Sequence, residues 1–277
     1  MGRLVVNRLV ADGHSVRVFD LPSANYSGLE EMAGVEIAKG DLTDAGDVEA
    51  AVDGAAAIVH LAAILPPMAQ ANPELTNHVN VEGTQVLLEA AMKAAPEARF
   101  VFSSSVSVYG ATDTSDVIGL DAPIAPDEVY AESKAASEGL VTASSLAWAV
   151  VRISGVAVPV FQEPPAEWPF LAEQQIEFVH RDDAVSALVA AVDSPYAPGK
   201  IFNIAGGPTW RMTGAEYVSD YFGLLEVDPE EAVYQGLPGH FAWYDTADGQ
   251  AALGYQNTPY ETYLEQIHQV IDELMAE

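Results

Sequence analysis

Residues 55–63 read Ala-Ala-Ala-Ile-Val-His-Leu-Ala-Ala, a run that is too apolar for a strand with one face in water. Such a run is typical of a parallel strand that is covered on both faces. Further strands are predicted on either side of it, over 15–20, 35–38, 99–103 and 147–153. Helices are predicted between them, over 3–13, 45–53, 79–95 and 130–143. This alternation predicts an α/β fold with a doubly wound parallel sheet, in which ligands bind at the carboxyl ends of the strands.

The chain of 277 residues is strongly acidic, with 41 Asp and Glu against 11 Lys and Arg and a net charge of −30. That charge repels nucleic acid and anionic membranes, so neither is expected as a partner. No apolar run approaches the length of a membrane span, and the absence of cysteine excludes disulfides and thiolate sites. We therefore expect a cytoplasmic protein. The six histidines show no metal-binding spacing, so no metal is expected.

One predicted helix carries a tyrosine and a lysine four residues apart, Tyr130 and Lys134. Residues four apart share a helix face, so the phenol and the ammonium can address one point in a cleft. A nearby cation favours the phenolate and lowers the pKa of the tyrosine, which allows it to exchange a proton with a substrate oxygen. The alternative is a surface helix with a solvated lysine and a packed tyrosine.

Several short motifs follow one another in an order that carries a resemblance. They are His-Leu-Ala-Ala at 60–63, Asn-Val-Glu-Gly-Thr at 80–84, Ser-Ser-Ser at 103–105, Val-Tyr-Gly at 108–110, Tyr-Ala-Glu-Ser-Lys at 130–134, Phe-Val-His-Arg-Asp-Asp at 178–183, Phe-Asn-Ile-Ala-Gly-Gly at 202–207, Asp-Thr at 245–246 and Leu-Gly-Tyr at 253–255. In this order they resemble the extended short-chain dehydrogenase/reductase family, the NAD-dependent epimerase/dehydratase group. The resemblance implies a Rossmann-type NAD-binding domain over 1–154 that also receives about 176–207. It implies a small substrate-binding lobe over 155–175 and 208–277.

The amino terminus departs from the family pattern. Members begin with a strand and a Gly-x-x-Gly-x-x-Gly turn that holds the cofactor pyrophosphate, and here Met1 and Gly2 match only its last two positions. The first strand and most of the glycine-rich loop are therefore absent from the chain, which resembles an N-terminally truncated member. Because that strand lies at the sheet centre, its absence is expected to leave two neighbouring strands without a partner. Our hypothesis is that the written chain begins too late.

The resemblance also assigns the cofactor residues. Asp20 ends the second family strand and would bind the adenosine ribose; since no Arg or Lys follows it at 21–23, NAD is favoured over NADP. Asp41 would flank the adenine, or it serves only as a turn or helix-capping acid. The other implied cofactor residues are Gly2, Leu42, Leu61, Ala62, Ala63, Asn80, Ser103, Tyr130, Lys134, Ile153 and Gly155.

The resemblance assigns the catalytic roles to three residues. Ser105 would hydrogen-bond the reacting substrate oxygen, Tyr130 would exchange its proton, and Lys134 would hold the nicotinamide ribose and lower the tyrosine pKa. Ser107 is expected to add a substrate contact. Read alone, Ser105 is equally a hydroxyl that caps the end of a strand.

Three absences narrow the reaction. Sugar dehydratases of the family carry an Asp-Glu pair where this chain has Val106 and Ser107, so the acid and base for eliminating water are missing. Nucleotide-sugar epimerases usually carry diphosphate-binding arginines, and the matching positions are Ile176 and Leu237. The segment 155–177 is also short for a lobe that encloses a nucleotide.

What remains near the expected pocket is apolar. It comprises Leu65 with the following Pro-Pro-Met and the run Trp-Pro-Phe at 168–170, with Arg181 as a single polar anchor. These aromatics could instead cap the small lobe. The leading interpretation is an NAD-dependent oxidoreductase that interconverts a secondary alcohol and a ketone on a small or partly apolar substrate. The alternatives are an epimerase acting on a sugar or nucleotide-sugar through bound NAD, and a regulatory protein that binds NAD without turnover.

A homodimer is also expected. Helices 79–95 and 130–143 match those that form a four-helix interface in the family, and small residues on them would allow close approach. The small residues are Ala90, Ala91, Ala94, Ala95, Ala135 and Ala136.

Overall fold

The structure is a computed structural model that describes residues 1–112 and 114–276. Its strands are β1 (Val16–Asp20), β2 (Val35–Lys39), β3 (Ala57–His60), β4 (Arg99–Ser105), β5 (Ala147–Ile153), β6 (Val156–Ala157), β7 (Gln175–Glu177), β8 (Val179–His180), β9 (Lys200–Ile204) and β10 (Arg211–Thr213). Its helices are α1 (Gly2–Ala11), α2 (Ala45–Val52), α3 (Met68–Ala71), α4 (Pro73–Thr76), a π-helix (Asn77–Glu82), α5 (Gly83–Ala94), α6 (Val129–Ala143), α7 (Arg181–Asp193), α8 (Gly214–Leu224), α9 (Ala247–Leu253) and α10 (Tyr260–Ala276). Short 3₁₀ turns cover Val106–Tyr109, Pro208–Trp210 and Pro229–Glu231.

The central sheet has four parallel strands in the order β3-β4-β5-β9, and β1 and β2 form a separate parallel pair. Side chains on β4 alternate between the two faces of the sheet. Val101 packs with α1 and α7 on one face, while Phe100 and Phe102 pack with α2 and α5 on the other. The predicted α/β fold with helices on both faces of a parallel sheet is confirmed.

In the described structure β1 and β3 are not paired with each other, and this explains one difference from the sequence-based expectation. Within the described ranges each of these strands has one hydrogen-bonded neighbour, β2 and β4 respectively. The apolar run 55–63 was expected to form one long buried strand, but only Ala57–His60 is a strand and only His60 in it is fully buried. A strand paired on one side leaves its other edge open, so its remaining residues keep partial contact with solvent.

The helices begin and end close to their predicted limits. α1 ends before Gly13, whose φ of 93° suits a residue without a side chain. The Asp44 carboxylate caps α2 by accepting hydrogen bonds from the amides of Gly46 and Asp47. The helix predicted over 79–95 differs most, because its first turns form a π-helix before α5 begins.

The C-terminal part of the chain has its own apolar core. Aromatic side chains from the segment before β7, from α8 and from α10 pack against one another there, and they include Trp168, Phe170, Trp210, Tyr217 and Tyr263. Trp168 and Phe170 stack at 5.8 Å between ring centroids. Trp168 and Phe170 are therefore packed in this C-terminal core.

The alanines proposed for a dimer interface are largely used inside the chain. Ala90, Ala91 and Ala95 are buried in its own core, where α5 packs on α2 and β4. On α6 the side chain of Ala136 is exposed. The sequence analysis placed the alanine face of α5 in a dimer interface, whereas Ala90 and Ala91 pack inside the chain. The prediction was wrong because a stripe of small residues fits a helix–sheet contact as well as a helix–helix contact.

No helix in the described part of the chain is long and apolar enough to cross a membrane. Over the same residues, His, Asp and Glu side chains form no group of three or more arranged to hold a metal ion.

Candidate active site

The predicted catalytic residues meet where β4 ends against the middle of α6. Lys134 is 3% exposed, and its Nζ donates a hydrogen bond of 2.8 Å to the carbonyl oxygen of Ser103. The ammonium lies 4.9 Å from the ring centroid of Phe102 and 5.7 Å from that of Tyr130. The helical spacing therefore places the lysine beside the tyrosine, as predicted, with its position fixed by the backbone of the serine run.

The pKa of the Tyr130 phenol is raised, whereas the sequence led us to expect a lowered pKa. Burial raises the pKa of Tyr130 to about 12, the charge of Glu128 adds to that rise, and Ser105 partly offsets it. Burial also lowers the pKa of Lys134 to about 8, against the opposing charge of Glu138. The expectation that lysine lowers the tyrosine pKa neglected desolvation, which penalises both charged forms in the same cleft. The raised pKa favours the neutral phenol over the phenolate.

The two serines that were predicted to contact the substrate have different hydrogen-bond partners. The Ser105 hydroxyl accepts a hydrogen bond of 3.1 Å from the amide of Ser107, so it caps the end of β4 as well as acting on Tyr130. The Ser107 Oγ is buried and has no hydrogen-bond partner among the described residues. An unpaired buried hydroxyl is costly, which makes Ser107 a group that a ligand could satisfy.

Asn80 connects the loop after β3 to the catalytic helix. Its side chain accepts a hydrogen bond of 2.7 Å from the amide of Ile64, and it donates to the carbonyl of Ile64 at 3.1 Å and to Ser133 Oγ at 2.9 Å. It lies in the π-helix, an irregularity that often occurs at functional sites. Its role as a cofactor residue stays a prediction; its observed partners are protein groups that position the loop carrying Leu61, Ala62 and Ala63.

The side predicted to bind adenosine is open and acidic. Asp20, exposed at the end of β1, accepts a hydrogen bond of 2.7 Å from the amide of Leu21. Asp41 accepts hydrogen bonds from the amide and hydroxyl of Thr43, which lower its pKa, so it has the turn role that was its alternative. Leu42 is buried against the position where a Gly83 Cβ would stand, and only its backbone is available to a ligand.

The residues predicted to lie near the pyrophosphate and the nicotinamide include two glycines, Gly2 and Gly155. α1 begins at Gly2 without a side-chain cap, and a Cβ on Gly2 would lie 4.0 Å from Leu61 Cδ1. At the end of β5, a Cβ on Gly155 would lie 2.6 Å from the Phe178 ring, so only glycine fits. Ile153 is buried beside it, and the buried hydroxyl of Ser154 has no partner within residues 1–112 and 114–276.

The predicted substrate residues do not all converge. Leu65 is exposed on the loop after β3, as a residue on the lip of a cleft would be. Arg181 Nε instead donates to its neighbour Asp182 at 2.8 Å, and no described hydrogen bond or ion pair joins it to the Ser-Tyr-Lys group. Its assignment as substrate anchor stays a prediction.

Sequence reasoning overlooked the groups that surround the catalytic helix. Glu128 directly precedes α6, accepts a hydrogen bond from the Gln70 side chain, and acts on the Tyr130 phenol. Glu138 and Arg152 form a buried ion pair one turn beyond Lys134. The four-residue spacing of Lys134 and Glu138 was a visible signal for the second group, whereas nothing local indicated its arginine partner.

Residues 1–163 match the NAD dependent epimerase/dehydratase family. The chain belongs to this family. The resemblance is thereby confirmed, as is the prediction of an NAD-dependent enzyme family. The residues present fit the cofactor: an uncapped helix start lies beside Leu61, the Asp20 carboxylate is exposed at a strand end, and the buried Ser154 hydroxyl lacks a protein partner in the described structure.

Two curated relatives and one solved structure extend the comparison. A D-erythronate dehydrogenase of Cupriavidus necator is 32% identical over 148 residues, which make up 51% of this chain and 45% of that protein. A 3 beta-hydroxysteroid dehydrogenase/Delta 5-->4-isomerase of Mycobacterium tuberculosis is 34% identical over 154 residues, 52% of this chain and 40% of that protein. The chain thus spans less than half the length of either relative in these matches.

The solved structure is a short-chain dehydrogenase/reductase superfamily protein from Agrobacterium tumefaciens with bound NAD. It is 23% identical, has a TM-score of 0.83, and the match covers 99% of this chain and 95% of that one. At this identity the likeness shows the fold, which is therefore shared over nearly the whole length of the chain.

Proposed function

We propose that this chain is an NAD-dependent oxidoreductase that interconverts a secondary alcohol and a ketone on a small or partly apolar substrate. The observation that carries the proposal is the group of Ser105, Tyr130 and the buried Lys134 at the carboxyl end of β4, which has the residue types and order needed to move one proton beside a reacting carbon. The similarity to a D-erythronate dehydrogenase and to a hydroxysteroid dehydrogenase supports the same reaction class.

Each residue has a separate task in the proposed reaction. When bound, NAD would exchange a hydride with the substrate carbon. Ser105 orients the substrate oxygen by a hydrogen bond, and Tyr130 gives its phenolic proton to that oxygen in the reduction or receives it in the oxidation. Lys134 is the nearby cation that stabilises the phenolate form, and from its place beside Ser103 it would also bind the nicotinamide ribose.

Two positions favour a substrate without a diphosphate. Ile176 is fully buried in the core of the C-terminal lobe, so this position offers no group to a ligand. Leu237 is 74% exposed and provides no charge. Leu65 and Met68 are exposed near the N-terminal end of α6, where they could contact an apolar substrate, and Ser107 would supply a hydroxyl to it.

The cofactor residues support NAD over NADP. The acid at the end of β1 is followed by Leu21, Pro22 and Ser23, which offer no cation to a 2′-phosphate. We propose that residues 1–154, with about 176–207, bind NAD and that 155–175 and 208–277 bind the substrate. The proposed place of action is the cytoplasm.

The decisive experiment combines a substrate screen with one variant. NADH formation is followed with aliphatic and alicyclic secondary alcohols, sugar acids and nucleotide-diphosphate sugars, and positive substrates are repeated with Tyr130→Phe. We expect turnover with a non-nucleotide alcohol and a loss of roughly 10²–10⁴-fold in Tyr130→Phe, with the NAD dissociation constant unchanged.

The alternatives give different results. Turnover confined to nucleotide-diphosphate sugars, or epimer formation without net NADH, would establish the epimerase instead. A protein that binds NAD, turns over none of these compounds and is indifferent to Tyr130→Phe would be the regulatory protein.

We also propose that the protein is a homodimer through the exposed faces of α5 and α6. The alanines of α5 are buried, so the support comes from Ala136 and Gly139 on α6, both exposed. A Cβ on Gly139 would meet nothing within 4 Å, which leaves room for a second helix to approach. Light scattering should give twice the chain mass, and Gly139→Trp should give a monomer.

A further inference from the structure

A buried carboxylate lies one helical turn beyond the catalytic lysine. Glu138 is 4% exposed and accepts hydrogen bonds from Ser104 Oγ at 2.5 Å, from Arg152 Nε at 2.9 Å and from Arg152 Nη2 at 2.7 Å. The arginine pairs with it through two nitrogens, the geometry that holds a guanidinium most firmly in place. Its charge also acts on Lys134.

The pair extends through a chain of hydrogen bonds across the sheet. Arg152 Nη1 donates to the Tyr109 hydroxyl at 2.8 Å, and that hydroxyl donates to Asn203 Oδ1 at 2.8 Å. These residues stand on β5, on the turn after β4 and on β9, while Glu138 stands on α6. One network therefore joins the catalytic helix to three neighbouring elements beneath the site.

The network fixes the position of the serine run, residues 103–105, relative to α6. The Ser103 carbonyl holds the Lys134 ammonium, the Ser104 hydroxyl donates to Glu138, and the Ser105 hydroxyl acts on Tyr130. Because the middle serine is tied to α6 by Glu138, the two serines beside it keep their register with Lys134 and Tyr130. A shift of about 1 Å in such a register can cost about 10²-fold in rate.

We propose that Glu138 and Arg152 are positioning residues for the Ser-Tyr-Lys group, and that the charge of Glu138, one helical turn from Lys134, and the opposing charge of Arg152 act together on the Lys134 ammonium. This inference rests on the proposed catalytic function. A buried ion pair is weak evidence for stability, because apolar residues of similar volume often replace one at no cost. This pair, however, is bonded to Ser104, between Ser103 and Ser105, and it lies one helical turn from Lys134, which points to a role in the catalytic group.

The charged and titratable groups around Lys134 come from several elements. Tyr130 and Glu138 share its helix, Arg152 faces it from β5 through Glu138, and His60 faces it from β3. Burial and the Lys134 charge lower the pKa of His60 to about 3, so His60 is neutral through the physiological range. Substituting Glu138 removes a negative charge near Lys134, and substituting Arg152 removes a positive one. The ion pair therefore allows the charge around Lys134 to be changed in either direction.

The test measures the pKa of Lys134 directly in the folded protein. Lysine labelled with ¹³C at Cε gives four signals, from Lys39, Lys93, Lys134 and Lys200, and Lys134→Arg identifies the one of interest. Glu138→Gln removes the anion, so the Lys134 pKa should fall below its wild-type value. Arg152→Met removes the competing cation and frees the Glu138 charge, so the Lys134 pKa should rise.

Turnover supplies the second readout. Glu138→Gln and Arg152→Met should lower kcat by about tenfold or more while the substrate KM and the NAD dissociation constant stay within about twofold, since neither residue touches a ligand. The milder variants Ser104→Ala and Tyr109→Phe each remove one hydroxyl of the network and should lower kcat in the same way by a smaller factor. They keep the test valid if the charge variants do not fold.

The matched control is an ion pair in the C-terminal part of the chain, in which the buried Glu177 carboxylate pairs with the half-buried Arg211. Glu177→Gln should leave the Lys134 signal unshifted even if it lowers stability. An identical Lys134 pKa in wild type, Glu138→Gln and Arg152→Met would overturn the proposal. Because the NMR titration needs no substrate, it still decides the question if the wild-type protein turns over no alcohol and the proposed function fails.

Discussion

The two halves of the cleft differ in how much of their structure the chain itself supplies. On the catalytic half, Lys134 is enclosed between α6 and β4 and is held by protein groups. On the half proposed to bind adenosine, Asp20 and Asp41 are exposed, and in the described structure their side chains bond only to groups within two residues. Proton transfer needs fixed geometry before the substrate arrives, whereas a bound nucleotide can order exposed acids as it binds. Substitutions in the first half should therefore change rates, and those in the second should change affinity.

Lys134→Met should give the largest effect, because it removes the only cation beside the phenol that the described structure shows. We expect kcat to fall by about 10² or more. Stability should suffer little at pH 7, because the ammonium is buried and its pKa is lowered from 10.5 to about 8.

The sign of the pH dependence provides the control. Between pH 8 and 10.5 the unfolded chain binds the proton that the folded chain has released, so wild type gains about 1.4 kcal/mol per pH unit relative to Lys134→Met. Thermal unfolding of both proteins at pH 7 and pH 9.5 measures this gain. If Lys134→Met keeps the wild-type turnover, Lys134 has no part in the mechanism.

His60 should give the next effect, on stability alone. It is buried at the end of β3, bonds Thr84 Oγ1 at 2.9 Å, and has its pKa lowered from 6.5 to about 3. As pH falls through 6.5, His60 takes up a proton in the unfolded chain, whereas in the folded chain the buried imidazole stays neutral. Folding should thus lose about 1.4 kcal/mol per pH unit on this account between pH 6 and 4.

Urea unfolding of His60→Leu should show a correspondingly shallower loss of stability with falling pH. The exposed His268→Gln on α10 is the control, because a side chain in water in both states changes the slope little. Equal slopes in wild type and His60→Leu would contradict the burial argument.

The difference between the halves also separates what the sequence could predict from what it could not. The placement of Tyr130 beside Lys134 on a helix, and of Ser105 at the end of a strand, was predictable because helical spacing and a strand end are local properties of the chain; their catalytic roles came from the family resemblance and stay a prediction. The raised pKa of Tyr130 was not, since desolvation depends on everything packed around the ring. The pairing of Glu138 with Arg152 was equally hidden, because their elements meet only in the folded sheet.

The elements themselves show the same division. The order of strands and helices followed from composition and spacing, and it was confirmed. The length of β3 and the burial of Ala90 and Ala91 were misjudged, because they depend on which neighbour covers each edge or face.

Asp20→Ala should give a smaller effect that appears in binding. It removes a carboxylate that would accept hydrogen bonds from the adenosine ribose, and such bonds to a charged group contribute about 1.5–3 kcal/mol. We expect NAD to bind about tenfold more weakly, while kcat at saturating NAD and thermal stability stay unchanged. Calorimetric titration with NAD measures the change. A fall in kcat with unaltered NAD affinity would reverse the roles assigned to the two halves.

Ser107→Ala should give the smallest effect and tests the comparison most finely. Its hydroxyl is buried close to the proposed catalytic group, yet it lacks a hydrogen-bond partner among the described residues. Removing an unpaired buried hydroxyl relieves a desolvation cost, so stability should stay constant or rise by about 1 kcal/mol. If the hydroxyl instead serves the substrate, KM should rise by roughly threefold to tenfold with little change in kcat.

Ser104→Ala is the matched control, because it removes a hydroxyl of the same strand end that is already bonded to Glu138. That variant should lose about 1–2 kcal/mol of stability and should lower kcat rather than raise KM. Ser107→Ala should raise KM without loss of stability, and Ser104→Ala should lower kcat and stability. Such a difference between two buried serines three residues apart would show that a hydroxyl's hydrogen-bond partner, and not its burial alone, decides whether it supports the fold or the substrate. A loss of stability in Ser107→Ala as large as in Ser104→Ala would mean that Ser107 supports the fold and not the substrate.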